Sequence, residues 1–335
     1  MSAPDRLRSA FTRRLGRSDI QISAMGLGCW AIGGPFWSGD TPVGWGEVDD
    51  DESVRAIQRA LDLGVNFFDT ADVYGTGHSE RVLARALAGR RDRVVIATKF
   101  GNTFDETTRQ ITGSDASREY IRRACEASLK RLNSDYIDLY HFHLNDYDPD
   151  QAGAVRDALE GLVAEGKIRH YGWSTDFPER ARVFAEGPNC TAIQHQMNVL
   201  DDAGPMVALC ERSNLASINR GPLAMGLLTG KYRADSKLAS DDVRGNRSPD
   251  WMKYFKDGKP NPEWLSKLEA IREILTSGGR TLAQGALAWI WGRSAQTIPI
   301  PGFRTVAQVE ENCAASTSGP LSAEQMGEID ALLGR

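Results

Sequence analysis

The chain has 335 residues and a formal net charge of −5 at pH 7, with 40 basic and 45 acidic residues spread along its length. It contains no basic block or stripe, which argues against a nucleic-acid or membrane-surface partner, and no apolar run reaches the ~18–20 residues of a membrane span. The five cysteines are scattered without a CxxC pair, so we expect reduced thiols in a cytoplasmic protein.

The first predicted element is a β-hairpin over residues 11–23, after a tail of residues 1–10. The basic tail lacks the apolar region of a secretory signal. The letters RSD at 17–19 indicate a turn between two short β-like arms. We expect this hairpin to precede the main fold and to cover the bottom of a barrel.

From residue 24 onward, short apolar strands alternate with amphipathic helical segments. Eight strands are predicted, at residues 24–30, 65–71, 94–100, 136–143, 168–175, 192–198, 216–223 and 297–303. Several of the helical segments begin at Ser, Asp or Pro and end at Gly, as helix ends prefer. Continuous apolar strands separated by helices indicate a parallel sheet covered on both faces. Eight such units predict one α/β domain, a (β/α)8 TIM barrel with its core at about residues 12–333.

Two long loops interrupt this alternation. Residues 31–48 are rich in Gly, and residues 232–262 are polar with an aromatic group, WMKYF, at 251–255. The earlier stretch GLGCWA at 26–31 matches a dinucleotide-binding fingerprint. That motif requires a helix to begin at once, and the following IGGPFWSGDTPVG cannot form one, so we reject a Rossmann site.

Polar residues mark the carboxyl ends of the predicted strands, where barrel enzymes place their chemistry. Tyr74 follows Asp69 by five residues in FDTADVYGTGHSE (68–80). The strand-end residues are Asp69, Lys99, His143, Ser174 with Thr175, Gln194, Arg220, and Gly302 with Arg304. Asp, Tyr, Lys and His on successive strand ends are harder to attribute to chance than any one of them alone.

Each of these residues has an alternative explanation. Asp69 and Lys99 also fit a purely structural ion pair, and Lys99 alone fits the Schiff-base lysine of a lyase. His141 and His143 form an HxH pair, but no third ligand follows at a suitable spacing, so we expect no metal.

Over about residues 12–333 the sequence resembles the aldo-keto reductase superfamily. The matching runs are LGRSDIQISAMGLGCWAIGG, GVNFFDTADVYGTGHSE, VVIATKFG, SLKRLNSDYIDLYHFH, GPLAMGLLTGKY and IPIPGFRTVAQVEEN. The resemblance implies a (β/α)8 barrel and the reduction of an aldehyde or ketone to an alcohol. It also implies a catalytic set, namely Asp69 and Tyr74 from DTADVYG, Lys99 from ATKFG, and His143 from DLYHFH.

In this set Tyr74 is expected to be the general acid that protonates the carbonyl oxygen. A free tyrosine has a pKa near ~10, and a neighbouring Lys99 ammonium would lower that pKa by roughly 1–3 units. Asp69 would keep Lys99 charged despite burial, and His143 would hydrogen-bond the carbonyl oxygen or relay a proton.

The resemblance further implies NADPH as the cofactor, preferred over NADH. Ser174 and Gln194 would hold the nicotinamide carboxamide, although Thr175 stands where the family usually has Asn, and Arg220 would stack on the ring. Residues 221–232 would bind the pyrophosphate, with Lys231 as a charge partner, and Arg304 would clamp the 2′-phosphate. The expected cofactor contacts are Cys29, Trp30, Ser174, Gln194, Arg220, Gly221, Pro222, Leu223, Gly226, Leu228, Lys231, Gly302, Phe303, Arg304, Gln308, Glu311 and Asn312.

We expect Trp30, Trp37, Trp45 and Trp173 to line the substrate pocket, with residues of 251–255 as a lid. Such an aromatic wall favours a ring-bearing or stacked carbonyl, for example a sugar-like or aromatic one. The same tryptophans also fit packing of the loops onto the barrel, or contact with a partner subunit.

The expected partner is therefore a small-molecule carbonyl or alcohol, and the sequence leaves a homo-oligomer open. A nucleotide-binding regulatory subunit and a Schiff-base lyase using Lys99 remain as alternative functions.

Overall fold

Eight parallel strands form one sheet in the computed structural model, which describes residues 11–335. The strands are β1 (Leu27–Gly28), β2 (Phe67–Asp69), β3 (Val95–Phe100), β4 (Ile137–Phe142), β5 (Ile168–Ser174), β6 (Cys190–Gln196), β7 (Ala216–Arg220) and β8 (Thr297–Pro299). Each strand pairs with the next one in the chain. The sheet closes because the amides of Gly26 and Gly28 donate to the carbonyls of Pro299 and Pro301, both at 3.0 Å. The predicted (β/α)8 barrel is confirmed.

Ten α-helices accompany the strands in the described part of the chain. They are α1 (Asp50–Asp62), α2 (His78–Ala86), α3 (Arg118–Leu132), α4 (Pro149–Ala164), α5 (Pro178–Ala185), α6 (Gly204–Arg212), α7 (Pro262–Thr276), α8 (Leu282–Arg293), α9 (Val306–Ala314) and α10 (Ala323–Leu333). The side chains of Asp49, Ser117 and Asp148 accept hydrogen bonds from the first turns of α1, α3 and α4, which satisfies donors left free at a helix start. Within residues 11–335, no helix combines the length and the apolar character needed to cross a membrane.

Side chains alternate along each strand between the barrel interior and the helix layer. On β3, Ile96 and Phe100 belong to the apolar layer between sheet and helices, whereas Val95 and Ala97 belong to the interior cluster. Lys99 continues the inward series and is its last member on β3. The same alternation brings the polar strand-end residues together at the carboxyl mouth of the barrel.

The predicted N-terminal hairpin closes the opposite end. Its strands, Thr12–Arg14 and Gln21–Ser23, pair antiparallel, and Leu15 and Ile22 are fully buried within the interior cluster. Gly16 has a φ of +54°, and a Cβ there would lie 2.1 Å from the Thr191 carbonyl oxygen. Only Gly allows the turn to approach the barrel strands this closely.

The long loop at residues 31–48 contains structure that the sequence did not predict. Its segments Trp37–Ser38 and Thr41–Pro42 join Asn102–Asp105 and Gln110–Ser114, from the loop after β3, in a four-stranded sheet at the mouth. The loop at 232–262 carries a small antiparallel pair, Phe255–Lys256 with Lys259–Pro260. Both loops therefore present ordered walls around the carboxyl end of the barrel.

Candidate active site

A buried ion pair lies at the carboxyl mouth of the barrel. Asp69 ends β2, and Lys99 is the penultimate residue of β3. Lys99 Nζ donates to Asp69 Oδ1 at 2.5 Å and to the Thr70 carbonyl oxygen at 2.7 Å. At most 2% of either charged side chain is exposed. Because water cannot solvate these charges, protein contacts have to stabilise them.

Tyr74 lies beside this pair on the turn after β2. Its hydroxyl is 3.4 Å from Lys99 Nζ, and its ring stacks on Trp30 with the ring centroids 5.9 Å apart. The His143 ring meets the Tyr74 ring edge-on, also at 5.9 Å. A Cβ on Gly33 would lie 2.9 Å from the Tyr74 carbonyl carbon, so the loop after β1 packs directly on this turn. The four residues of the expected catalytic set thus lie together.

Burial dominates the protonation equilibria of this group. It raises the pKa of Tyr74 above the usual value, and the charge of Lys99 offsets this effect only in part. Lys99 by itself lowers the pKa of Tyr74, as the sequence predicts, but burial has the larger effect. Burial lowers the pKa of Lys99, but the charges of Asp69 and Tyr74 outweigh it, so the pKa is raised and the ammonium stays charged. Burial, with Lys99 and Arg220 nearby, holds the pKa of His143 well below 6.5, which keeps His143 neutral at pH 7.

His141 lies on β4, two residues before His143. Its side chain points into the barrel interior, further from the mouth than His143. It is fully buried, and a Cβ on Gly172 would approach its ring atoms Cε1 and Nδ1 to 2.9 Å. Burial and the charge of Lys99 hold the pKa of His141 well below 6.5. Among residues 11–335, no group of three or more His, Cys, Asp or Glu side chains has the arrangement of a metal site.

The residues expected to hold a carboxamide adjoin the ion pair. Ser174 and Gln194 are 3% and 1% exposed, and Ser174 Oγ lies 3.4 Å from Gln194 Oε1. Gln194 Nε2 donates to Asp69 Oδ2 at 2.7 Å. Thr175 instead donates through Oγ1 to the Asn145 carbonyl at 2.9 Å. Thr175 therefore supports the loop after β4, while Ser174 and Gln194 lie at the mouth.

Arg220, at the end of β7, is held by an acid that the sequence analysis did not single out. Its guanidinium contacts Asp176 Oδ2 at 2.5 Å and Gln196 Oε1 at 3.3 Å. About a third of the Arg220 side chain is exposed. Asp176 follows Ser174 by two residues. Its position just beyond the carboxyl end of β5 could have marked Asp176 as a site residue from the sequence alone.

The segment 221–232, expected to bind pyrophosphate, has an unusual backbone. Ala224 and Met225 have φ values of +48° and +56°, and Gly226 follows at +92°. Non-Gly residues in this region carry strain that is typically found at functional sites. Leu228 is fully buried, whereas Lys231 is exposed, with its ammonium 5.0 Å from the Tyr232 ring centroid.

The segment 302–312, which contains several of the expected cofactor contacts, touches the loop after β1. Arg304 donates from Nη1 to the Trp45 carbonyl at 3.2 Å and from Nη2 to the Glu47 carbonyl. The Gln308 side chain accepts from the Arg304 backbone amide at 2.7 Å. Asn312 is 3% exposed and Glu311 is half-buried. Arg304, expected as a phosphate clamp, thus also anchors residues 45–47.

Aromatic side chains form a wall beside Tyr74. The Trp30 ring contacts the Trp45 ring edge-on at 5.3 Å and the Trp251 ring at 6.2 Å. Trp251 is 57% exposed and comes from the 251–255 group expected as a lid. Trp37 lies in the mouth sheet, where its backbone pairs with Gln110.

Trp173 was expected in the pocket, and that expectation is wrong. Its side chain has no exposed surface and packs against Phe142 and Phe184 at 5.3 and 4.9 Å. Its parity on β5 places it toward the helices, opposite to Ser174. Cys29 and Phe303 are likewise at most 1% exposed.

An arginine missed by the sequence analysis joins the two long loops. Arg244 is 6% exposed and pairs with Asp242 through Nε at 2.8 Å and Nη2 at 2.6 Å. It also donates to the Met225 carbonyl at 3.0 Å and stacks over the Trp45 ring at 4.4 Å. Arg244 therefore links residues 232–262 to both the loop after β1 and the segment 221–232.

The barrel and the side chains at its mouth define a protein with a partly buried tyrosine beside a buried ammonium, suited to giving a proton to a bound oxygen. The family model of the aldo/keto reductase family matches residues 24–333, and the chain belongs to this family. The expectation from the sequence is confirmed.

Relatives and solved structures agree with this membership. Aldo-keto reductase YhdN of Bacillus subtilis (strain 168) is 32% identical over 323 residues, which cover 94% of this chain and 91% of the relative. The structure of the glycerol dehydrogenase AKR11B4 from Gluconobacter oxydans is 32% identical with a TM-score of 0.80, covering 100% of this chain and 96% of that chain. An aldo-keto reductase from Klebsiella pneumoniae in complex with NADPH is 26% identical with a TM-score of 0.66, covering 97% and 95%.

Proposed function

We propose that this chain reduces an aldehyde or ketone to an alcohol with NADPH, with Tyr74 as the general acid. The observation that carries the proposal is the 3.4 Å contact between the Tyr74 hydroxyl and Lys99 Nζ at the mouth of the barrel. As the proton leaves Tyr74, the Lys99 ammonium stabilises the tyrosinate that forms. The neutral His143 can donate one ring N–H to the carbonyl oxygen. The bound nicotinamide cofactor supplies the hydride.

The residues at the mouth fit a nicotinamide cofactor. The polar atoms of Ser174 and Gln194 adjoin the Tyr74 site, and the strained backbone of 224–226 lies after β7. The Klebsiella relative in complex with NADPH supports the same cofactor for this chain. The preference over NADH rests on Arg304, whose contacts to residues 45 and 47 use two of its five N–H groups.

The state of Lys99 favours reduction over Schiff-base chemistry. A Schiff-base lysine has to lose its proton before it attacks a carbonyl. Lys99 donates to Asp69 and to the Thr70 carbonyl, and its raised pKa keeps it protonated. The proposal includes a small-molecule carbonyl or alcohol as the partner and activity in the cytoplasm.

The test is oxidation of NADPH, followed by its absorbance, with a panel of small, sugar-like and aromatic carbonyls, for wild type and Tyr74→Phe. We expect turnover by wild type and a loss of roughly 10²–10⁴-fold in Tyr74→Phe. NADPH affinity, measured by calorimetry, should be similar in both. Tight NADPH binding without turnover of any carbonyl would instead favour a nucleotide-binding regulatory role. Absence of binding would refute the cofactor assignment.

Arg304 provides the test of cofactor preference. A charge-assisted contact to a phosphate is worth roughly 1.5–3 kcal/mol, so Arg304→Ala should weaken NADPH binding about 10–100-fold. NADH lacks the 2′-phosphate and serves as the internal control, to be measured by the same calorimetry. Equal weakening of both cofactors would show that Arg304 acts only by anchoring residues 45–47.

A further inference from the structure

Gln194 contacts the buried ion pair directly. Its Nε2 donates to Asp69 Oδ2 at 2.7 Å, and Lys99 Nζ donates to Oδ1 of the same carboxylate at 2.5 Å. Gln194, Asp69 and Lys99 are 1%, 2% and 0% exposed. Each oxygen of this carboxylate therefore has its own donor, and the two donors come from different barrel strands.

The chemistry of the amide fixes its orientation. An inverted Gln194 would place Oε1 against a carboxylate oxygen, so that two acceptors would face each other without a proton between them. With Nε2 on Asp69, Oε1 lies 3.4 Å from Ser174 Oγ. One end of Gln194 thus belongs to the ion pair and the other end to the expected carboxamide site.

We propose that Gln194 is a positioning residue for the proton donor: it holds Asp69 in place for Lys99 and so links the cofactor end of the site to Tyr74. This inference rests on the proposed function. Gln194 contacts Asp69 at 2.7 Å, and Asp69 contacts Lys99 at 2.5 Å. Lys99 in turn lies 3.4 Å from the Tyr74 hydroxyl. Each contact joins polar groups in a water-poor environment, where hydrogen bonds and charges act strongly on their neighbours.

These contacts determine in which direction the pKa of Tyr74 should move when the Gln194 amide is lost. Without Gln194, Asp69 Oδ2 is buried with no donor, which favours the protonated carboxyl. A neutral Asp69 supports the charge on Lys99 less well, and a less charged Lys99 stabilises the tyrosinate less. The charge of Asp69 itself raises the pKa of Tyr74, but the opposing effect of Lys99 is larger, so the loss of both charges favours the neutral phenol. Loss of the Gln194 amide should therefore shift the titration of Tyr74 to higher pH. A residue that only binds the cofactor would leave this titration unchanged.

The experiment compares Gln194→Leu with the matched control Ser174→Ala, which removes the neighbouring hydroxyl but leaves the amide on Asp69. The first readout is the pH dependence of alcohol oxidation with NADP⁺, whose acid limb reports formation of the tyrosinate. The second readout is ¹⁹F NMR of the cofactor-free protein labelled with 3-fluorotyrosine, whose phenol ionises at lower pH than tyrosine. Tyr74→Phe assigns the resonance.

In Gln194→Leu we expect the acid limb of alcohol oxidation and the ¹⁹F titration of Tyr74 both to move to higher pH by about one unit. At a fixed pH below the acid limb, this shift lowers the oxidation rate about tenfold. In Ser174→Ala both should stay at the wild-type position, although either variant weakens cofactor binding. If Gln194→Leu does not fold, as judged by circular dichroism, Gln194→Asn takes its place. The asparagine side chain is too short to reach Asp69, so the same shift is expected.

Unchanged titrations in the folded Gln194 variant, or an equal shift in Ser174→Ala, would overturn the inference. If the wild-type protein turns over no substrate at all, the proposed function fails. The ¹⁹F titration of the cofactor-free protein then still decides the role of Gln194, so the two failures are distinguishable.

Discussion

At the scale of single residues, the ion pair of Lys99 and Asp69 has separable effects on stability and on activity. Removing one partner of a buried pair leaves the other charge uncompensated, at a cost of about 3–5 kcal/mol. Lys99→Met should therefore destabilise the fold by about this amount. Lys99→Met combined with Asp69→Leu leaves neither charge buried and should recover much of the loss. Both proteins should remain inactive, because Tyr74 has lost its ammonium neighbour.

Urea unfolding followed by fluorescence gives the free energies of unfolding, and NADPH oxidation gives the activity. A double variant no more stable than Lys99→Met would show that the cost comes from repacking rather than from an unpaired carboxylate. Recovery of activity in the double variant would show that Lys99 is not needed by Tyr74.

The same residues show what a sequence can predict at this scale. The motif identified Lys99 as the neighbour of Tyr74, and the structure places them 3.4 Å apart. Lys99 lowers the pKa of Tyr74 as expected, but burial raises this pKa by more, and the depth of burial is a property of the assembled fold. Trp173 was wrongly expected in the pocket, although the alternation of side chains along a strand could have excluded it. On β5, Ser174 faces the mouth, so its neighbour Trp173 faces the helices.

At the scale of elements, Trp251, from the 251–255 group expected as a lid, should affect large substrates more than small ones. Trp30 lies between Tyr74 at 5.9 Å and Trp251 at 6.2 Å, so a substrate at Tyr74 meets the Trp251 ring only if it extends beyond Trp30. An aromatic contact is worth about 0.5–1.5 kcal/mol. Trp251→Ala should raise the KM of ring-bearing carbonyls up to about tenfold and leave the smallest carbonyls unchanged.

Steady-state kinetics across the carbonyl panel measure this effect, with Trp37→Ala as the control. Trp37 belongs to the mouth sheet through its pairing with Gln110, and its loss should change KM evenly across the panel. Equal effects of Trp251→Ala on small and large carbonyls would mean that Trp251 supports the loop rather than contacting the substrate.

The elements themselves were predictable to different degrees. The eight strands, the N-terminal hairpin and the helices each carry a local pattern, and all were confirmed. The mouth sheet was missed because it joins two short antiparallel hairpins from loops about 70 residues apart. The turn Gly39-Asp40 was a local signal for the first hairpin, but the pairing between the two hairpins is long-range and has no local signal. The Arg244 linkage was missed for the same reason, since its stacking partner Trp45 lies far away in the chain.

At the scale of the whole molecule, the barrel is closed at one end by apolar residues and polar at the other. Leu15 and Ile22 of the hairpin fill the bottom, and the ion pair lies at the mouth. Between these ends the interior contains His141, a titratable group buried within the barrel. Stability of the whole fold should therefore respond to pH through groups that are not part of the proton-donor contact.

Acid sensitivity is expected from the fully buried His141 and His195 and from the half-buried His143. Burial lowers the pKa of His141 and His143 well below 6.5, and that of His195 to about 4. In the unfolded chain each has a pKa of about 6.5, so below that pH the unfolded state takes up protons that the folded state excludes. The free energy of unfolding should fall from pH 7 to pH 5, by up to about 2 kcal/mol for each histidine.

His141→Leu tests this expectation without altering the mouth. Leucine has a similar size and no titrating group, and Leu139 already occupies the neighbouring inward position on β4. Urea unfolding at pH 7, 6 and 5 should show a shallower loss of stability in the variant, with the largest gain over wild type at pH 5. A variant that loses stability as steeply as wild type would show that His141 keeps a pKa near its unfolded value, and that other groups cause the acid sensitivity.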